Sequence, residues 1–375
     1  MRNYTMTLRT EAPVFVGDGG KIGKKEYIFM SGERRVYVPD MVKMYRYFEE
    51  RRLMDDYQDY LLRDRRDFAA WMREKKILTP RQFLRWTAYS VDSADAVFEE
   101  KGKKEILTFQ KDAYGCPYVP GSSAKGMLRT ILLSDMLLRD WDKLETDRQV
   151  ISQTTQRVSA GQAKANRATL LRLETGQLEQ RCLNTLNRNE KRKSDAINDM
   201  MCGLRVSDSR PLRTEDLILC QKIDVTTDGQ RKSLPILREC LRPGTEITFD
   251  LTVVPEYFRF SGEQFLQAAE RCRSAYDQCF RSAFPLRGIQ PGGTVYLGGG
   301  CGYAAKTLAY PLLGEDGVET VSQIIDATLP FKTRPQHKHY LDKRKGVSPH
   351  MLKCTQYRSQ IYEMGVCSIA IKENL

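Results

Sequence analysis

Apolar and polar residues alternate along the opening NYTMTLRT, where Tyr4, Met6 and Leu8 share one face, and this period of two predicts a half-buried strand. A glycine-rich loop follows at Gly17-Asp18-Gly19-Gly20 and Gly23, then two short strand-like runs, EYIFM and RRVYVP. Pro39-Asp40 opens a helix with Met41, Met44, Tyr45 and Phe48 as its apolar residues. Helical spacing continues through Tyr57, Tyr60, Leu61, Phe68, Trp71 and Met72, and Thr79-Pro80-Arg81-Gln82 reads as a capping box with proline at the first helical position. The stretch from about 50 to 100 is therefore expected to be a helical insertion packed on its own aromatics, as core and not as base-stacking platforms.

A strand pair around ILTF and CPYVP leads into a helix at 122–139 that buries Met127, Leu128, Ile131, Leu132 and Met136. Strand patterns resume at LRVSDS, LILCQKIDV and ITFDLTVV, the last with Ile247, Phe249, Leu251 and Val253 in clean alternation. Ser261-Gly-Glu-Gln264 is a second capping box, starting a helix with Phe265, Ala269, Cys272, Tyr276 and Cys279 on one face. VCSIAIK is a last strand. Two rounds of strands and helix without a repeat of 20–50 residues predict an α+β fold with antiparallel sheets and exclude a solenoid.

Composition narrows the class. The chain has 375 residues, 41% hydrophobic and 29% charged, which supports a real core and excludes a disordered chain. No apolar run approaches the ~18 residues of a membrane span. The opening MRNYTMTLRT lacks the apolar core of a secretory signal. Ten cysteines stand without a C-x2-C pair, so neither a zinc pattern nor a disulfide framework is expected. A soluble cytoplasmic protein with free thiols and no cofactor is the expectation.

The net charge of +12 is concentrated. Residues 148–193, which include Lys191, Arg192 and Lys193, carry +7, and residues 332–353 carry +6, leaving −1 for the rest. Focused positive charge attracts a polyanion. Neither segment has a strong apolar face beside its charge, so nucleic acid is favoured over a membrane. The first segment reads as helix plus mobile loop protruding from the body.

Two glycine motifs carry candidate chemistry. In Pro120-Gly121-Ser122-Ser123-Ala124-Lys125-Gly126-Met127-Leu128-Arg129, Pro-Gly makes a tight turn and either serine can cap the following helix. Free amides at a helix start favour a phosphate, with Lys125 and Arg129 nearby. Gly126 costs helix stability unless something must approach closely. In Leu297-Gly298-Gly299-Gly300-Cys301-Gly302-Tyr303-Ala304-Ala305-Lys306-Thr307, residues 300–307 fit a P-loop except that Ala305 replaces the second glycine. The only later strand-then-Asp candidate, Ile324-Ile325-Asp326, is short, and the NTPase reading is rejected. What survives is a flexible glycine loop offering amides and Lys306 to a backbone phosphate.

Catalytic signals are sparse. The three histidines, His337, His339 and His350, all fall in the second basic segment with no carboxylate cluster beside them. They are expected to be solvated, with no metal site.

Taken together, VPGSSAKGMLRT at 119–130 and LGGGCGYAAKT at 297–307 resemble the RAMP proteins of CRISPR effector complexes. LRTEAPVFVGDGG, VYVPDMVKMYRYF, GLRVSDS and SLPILRECLRPGTEITFDL resemble, within that family, the Csm-type subunit capping the crRNA 3′ end of type III-A complexes. The resemblance implies two ferredoxin-like (RRM-like) domains: 1–215, with the helical insertion and a basic thumb at about 148–193, and 216–375, with the glycine loop at 298–307. It implies a non-catalytic role in crRNA binding, assembly and crRNA maturation. The implied partners are crRNA, neighbouring RAMP backbone subunits and, further out, target RNA and host nucleases. By this analogy Ser122, Ser123, Lys125 and Arg129 approach RNA or a neighbouring subunit, and Gly298, Gly299, Gly300, Gly302, Lys306 and Thr307 form the family's glycine loop. The aromatics with which RRM sheets stack bases are not recognisable, so no such stacking is expected. A RAMP-type endoribonuclease that processes crRNA and a purely structural filament cap are the alternatives.

Overall fold

The computed structural model describes residues 1–96, 104–166, 168–285 and 295–374. The strands before residue 215 are β1 (Arg2–Thr10), β2 (Gly17–Ile22), β3 (Ile28–Met30), β4 (Arg35–Pro39), β5 (Thr87–Asp92), β6 (Glu105–Phe109) and β7 (Leu204–Val206). After it come β8 (Leu217–Thr226), β9 (Arg231–Leu241), β10 (Glu246–Val253), β11 (Val295–Tyr296), β12 (Met351–Tyr357), β13 (Gln360–Glu363) and β14 (Val366–Glu373). The helices before residue 215 are α1 (Met41–Glu50), α2 (Met54–Arg63), α3 (Phe68–Glu74), α4 (Pro80–Phe83), α5 (Gly121–Arg139), α6 (Glu145–Ser159) and α7 (Arg172–Leu183). Those after it are α8 (Gly262–Cys279), α9 (Ala309–Leu313), α10 (Gly317–Thr328), α11 (Arg334–His337) and α12 (Asp342–Lys345). The fold is α+β, built on two sheets rich in antiparallel pairs.

One sheet runs β11-β14-β1-β10-β7, with every pair antiparallel. In chain order β1, α5, β7, β10, α8 and β14 form a β-α-β-β-α-β unit with the fourth, first, third and second strands side by side, the ferredoxin-like arrangement. The alternation read in the sequence decides which face the helices cover. Tyr4, Met6, Leu8, Ile247, Phe249 and Leu251 point into one core with Leu128 and Ile131 of α5 and Phe265, Ala268 and Ala269 of α8. The opposite face presents partly exposed Thr5, Thr7, Thr248 and Thr252 with exposed Asp250, and no aromatic from these positions. Base stacking on this sheet has no platform there.

The other sheet runs β2-β6-β9-β8-β5-β4-β3, with β12 on β8 and β13 on β12. Strands from both sides of residue 215 lie in each sheet. β2 corrects an expectation: Gly17–Ile22 is a strand, paired irregularly with β6, where a loop was read from its glycines. A single Lys111–Pro117 bridge stands where a CPYVP strand was expected. β5 and the β12–β13 hairpin were not foreseen.

The insertion is helical and aromatic-packed up to Trp86 as its spacing predicts, but Thr79 makes no side-chain cap, β5 takes Thr87–Asp92 into the sheet, and 97–100 lie outside the described residues. Asp40 caps α1 by accepting from the Lys43 amide at 3.1 Å, and Phe48, Tyr57, Tyr60, Phe68, Trp71 and Trp86 form a separate core over β3 and β4. Its rings contact one another at centroid distances of 5.1 to 6.4 Å, so they are committed to packing. In the first basic segment, α6 and α7 pack through Ile151, Leu171 and Leu178 on Leu312, Leu313 and Ile324. Ile324 and Asp326 lie within α10, which removes the strand a P-loop reading would need. Among the described residues no helix is long and apolar enough to cross a membrane.

Candidate nucleic-acid interface

The first glycine motif is clamped by a segment nearly ninety residues away. Val119 and Ser209 exchange bonds, the Val119 amide donating to Ser209 Oγ at 2.9 Å and the Ser209 amide to the Val119 carbonyl at 2.9 Å. The Gly121 amide donates to Asp208 Oδ1 at 2.8 Å. A Cβ on Gly121 would stand 2.4 Å from the carbonyl oxygens of Val206 and Ser207, so only glycine permits this approach. The helix start is therefore served by Asp208, and the expected Ser122 or Ser123 side-chain cap is absent. Both serines are left to face outward, Ser122 exposed and Ser123 half-buried.

Lys125 and Arg129 turn to internal partners. Lys125 Nζ donates to the Leu204 carbonyl at 2.7 Å, and burial holds its ammonium below the ordinary lysine value against the pull of Asp199. Arg129 bridges Asp199 at 2.6 Å and Glu179 at 3.1 Å.

The second motif is pinned, not loose. The Gly299 amide donates to the Phe15 carbonyl at 2.6 Å. Gly298 has φ +79°, and a Cβ there would lie 2.1 Å from the same oxygen. Cys301 is buried, and that burial raises its thiol pKa. Lys306 Nζ folds onto the Gly298 carbonyl, with its side chain exposed.

The two motifs, 170 residues apart in sequence, face each other across one cleft of about 630 Å³. Ser122, Ser123, Gly126 and Thr130 form one wall; Gly298, Gly299, Lys306 and Thr307 form the other; Phe15, Val16, Gly17, Gly19 and Gly20 contribute to the lining. Gly126 is exposed, and a Cβ on it would meet nothing within 4 Å, so it leaves open space where a side chain would stand. Of the predicted residues, Lys125, Arg129, Gly300, Gly302, Lys191, Arg192 and Lys193 do not line the cleft. The last three are exposed beyond α7.

Sequence reasoning missed the inner wall. Arg273 of α8 lies there with Tyr276 and Tyr296. Its guanidinium donates to Tyr296 Oη at 2.5 Å and to Asp277 at 2.9 Å, and it sits 5.5 Å from both ring centroids. Behind them Glu363 accepts from Tyr276 and, at 2.9 Å, from Tyr296. Arg273 and Tyr276 were visible three apart on one predicted helix, but nothing in that spacing says which face opens to a cleft.

Chemically, the described lining holds two charged side chains, both cationic, together with hydroxyls, glycine backbone and aromatic rings. Cys272 also reaches it, but burial first, and Asp135 second, push its thiol up to about 12, far from a thiolate at neutral pH. Such a wall suits a phosphate with an attached planar or sugar group.

The expectation of solvated histidines fails at two of the three. His339 and His350 are buried, both against the fully buried Asp342, because β12 folds the preceding loop inward. Only His337 is exposed. None of them lines the cleft.

The sequence matches the RAMP superfamily over residues 7–301. It is 30% identical to the CRISPR system Cms protein Csm5 of Mycobacterium tuberculosis (strain CDC 1551 / Oshkosh), over 99% of this chain and 98% of that protein. It is 27% identical to the protein of the same name from Streptococcus thermophilus, again over 99% and 98%. Among solved structures, a chain of a Csm–crRNA–target RNA ternary complex of a type III-A CRISPR-Cas system shares the fold, with a TM-score of 0.60, 19% identity and coverage of 99% of this chain and 100% of that one. The chain belongs to the RAMP superfamily and, within it, to the Csm5 family.

Proposed function

We propose that this protein is an RNA-binding and assembly subunit of a type III-A CRISPR effector complex, seated at the crRNA 3′ end without catalysing a reaction itself. The observation that carries the reading is the cleft in which the two glycine motifs meet, with Lys306 and Arg273 as its charged lining groups. RNA backbone passes between Ser122 and Ser123 on one side and Gly298, Gly299, Lys306 and Thr307 on the other. Lys125 and Arg129 hold α5 against β7 and α7, and so position that wall. The exposed Lys191, Arg192 and Lys193 add non-specific attraction to crRNA and, within the assembled complex, to target RNA. Neighbouring RAMP subunits are the protein partners.

The described lining residues include neither histidine nor carboxylate. Replacing exposed Ser122 by glutamate separates fold from binding. An acid in the first helical turn is tolerated or mildly stabilising, whereas its charge repels phosphate. Ser122→Glu is expected to melt no lower than the parent while its single-stranded RNA affinity drops by about tenfold or more, a loss of ~1.4 kcal/mol. Unchanged affinity contradicts the site. Labelled RNA should stay intact with purified protein and Mg²⁺; cleavage that co-elutes with the chain contradicts the non-catalytic role.

A further inference from the structure

Asp342 is fully buried, yet no lysine or arginine pairs with it among the described residues. Its two oxygens meet two imidazoles instead: Oδ2 lies 2.9 Å from His339 Nδ1 and Oδ1 lies 2.5 Å from His350 Nδ1. Ser348 Oγ donates to Oδ2 at 2.7 Å. A buried carboxylate needs compensating hydrogen bonds or a positive partner. Here the compensation is either three hydrogen-bond donors, two imidazole N–H groups and the Ser348 hydroxyl, or a cation held by the carboxylate and both imidazoles. Their ligand atoms lie within 4.8 Å of one another, and all three residues are buried.

We propose that His339, Asp342 and His350 form a structural transition-metal site, with zinc as the best-suited ion. Two imidazole nitrogens and one carboxylate oxygen are a borderline donor set that favours Zn²⁺ over Mg²⁺ or Ca²⁺. Ser348 Oγ or a water supplies the fourth ligand. Metal–ligand bonds of about 2.0–2.1 Å place neighbouring ligands about 3.3 Å apart in a tetrahedron. Seating the ion therefore widens the two imidazole–carboxylate separations by less than about an ångström and displaces the protons now shared there.

The surroundings are already built to hold the ligands. Ser322 Oγ of α10 donates to the His339 carbonyl at 2.7 Å, and Tyr310 of α9 donates its hydroxyl to the Ser348 carbonyl. The ligands come from a short turn at His339–Leu341, the start of α12 and the residue just before β12, and the segment's outer surface carries exposed Lys338, Lys343, Arg344 and Lys345. The ion would fasten this basic segment to the body and fix where its charges stand. None of the three ligands lines the cleft, although Tyr310 belongs to its wall and touches Ser348, and the inference does not rest on the function proposed above.

The test uses the full chain, stripped with chelator and then given Zn²⁺ or Co²⁺ alone. The site predicts uptake of a single equivalent, d–d absorption of a tetrahedral cobalt centre without thiolate charge-transfer bands, a higher melting temperature when loaded, and slower proteolysis between residues 332 and 350. His337→Gln keeps these properties, whereas His339→Gln and His350→Gln lose uptake. If either buried variant fails to fold, the wild-type cobalt spectrum decides. No uptake by the stripped wild type, or a thiolate spectrum that places the ion on cysteine, overturns the proposal and leaves a hydrogen-bonded imidazole–carboxylate clamp.

Discussion

The cleft and the two basic segments differ sharply in how they would meet the polyanion of the proposed function. The segments at 148–193 and 332–353 carry all the excess charge, while the described cleft lining holds only Arg273 and Lys306 as charged groups. Phosphate contacts made by solvated lysines and arginines are long in reach and weak in geometry. The cleft instead offers hydroxyls, glycine backbone and rings at a spacing set by the fold. On the function proposed above, the difference teaches that the segments' charge would draw RNA to the protein and the cleft, with two cations, would decide where its backbone lies.

The comparison can be broken from the cleft side first. Gly298→Ala forces a Cβ into the Phe15 carbonyl at a positive φ, and denaturant unfolding should show a loss of about 2–4 kcal/mol. A smaller loss would mean that the Phe15–Gly299 bridge does not fix the cleft edge. Gly126→Leu should do the opposite to stability. It replaces a helical glycine that faces open space, so the protein gains up to ~0.8 kcal/mol while RNA affinity falls about tenfold or more. Equal affinity would empty the cleft of its role.

Smaller effects belong to the segments. Changing Lys191, Arg192 and Lys193 together to serine should lower the slope of log affinity against log salt by about 2, since each single-strand phosphate contact contributes about 0.7. Affinity at moderate salt should drop only a few-fold, and melting should not change. Lys306→Ala should lower the same slope by about 0.7 or less, because its ammonium already rests on the Gly298 carbonyl. A larger slope change at Lys306 than in the triple variant would reverse the division drawn here.

Much of this was legible wherever a local period governs structure. The alternation in β1 and β10, the aromatic spacing of α1 to α3 and the extent of α5 each follow from which residues face one core. The strands that escaped are set by distant partners. Gly17–Ile22 looks like a turn until β6 pairs with it, and Met351–Tyr357 follows a run of charges that masks the buried Leu352 and Cys354. Two of the three histidines were misread for the same reason: charge describes the surface of a segment, while His339, Asp342 and His350 point the other way. Both glycine motifs were visible in the sequence, but their meeting was not. Neither was the clamp of Asp208 on Gly121, nor Arg273 on the inner wall, since each is a contact between elements far apart in the chain.

One measurement bears most directly on the cleft. Photocrosslinking the assembled complex with a photoreactive nucleotide at the crRNA 3′ end reports which residues touch it. The account predicts crosslinked peptides from residues 15–20, 121–131 and 295–311. Crosslinks confined to 148–193 and 332–353 would contradict it and leave the basic segments as the RNA-binding surface.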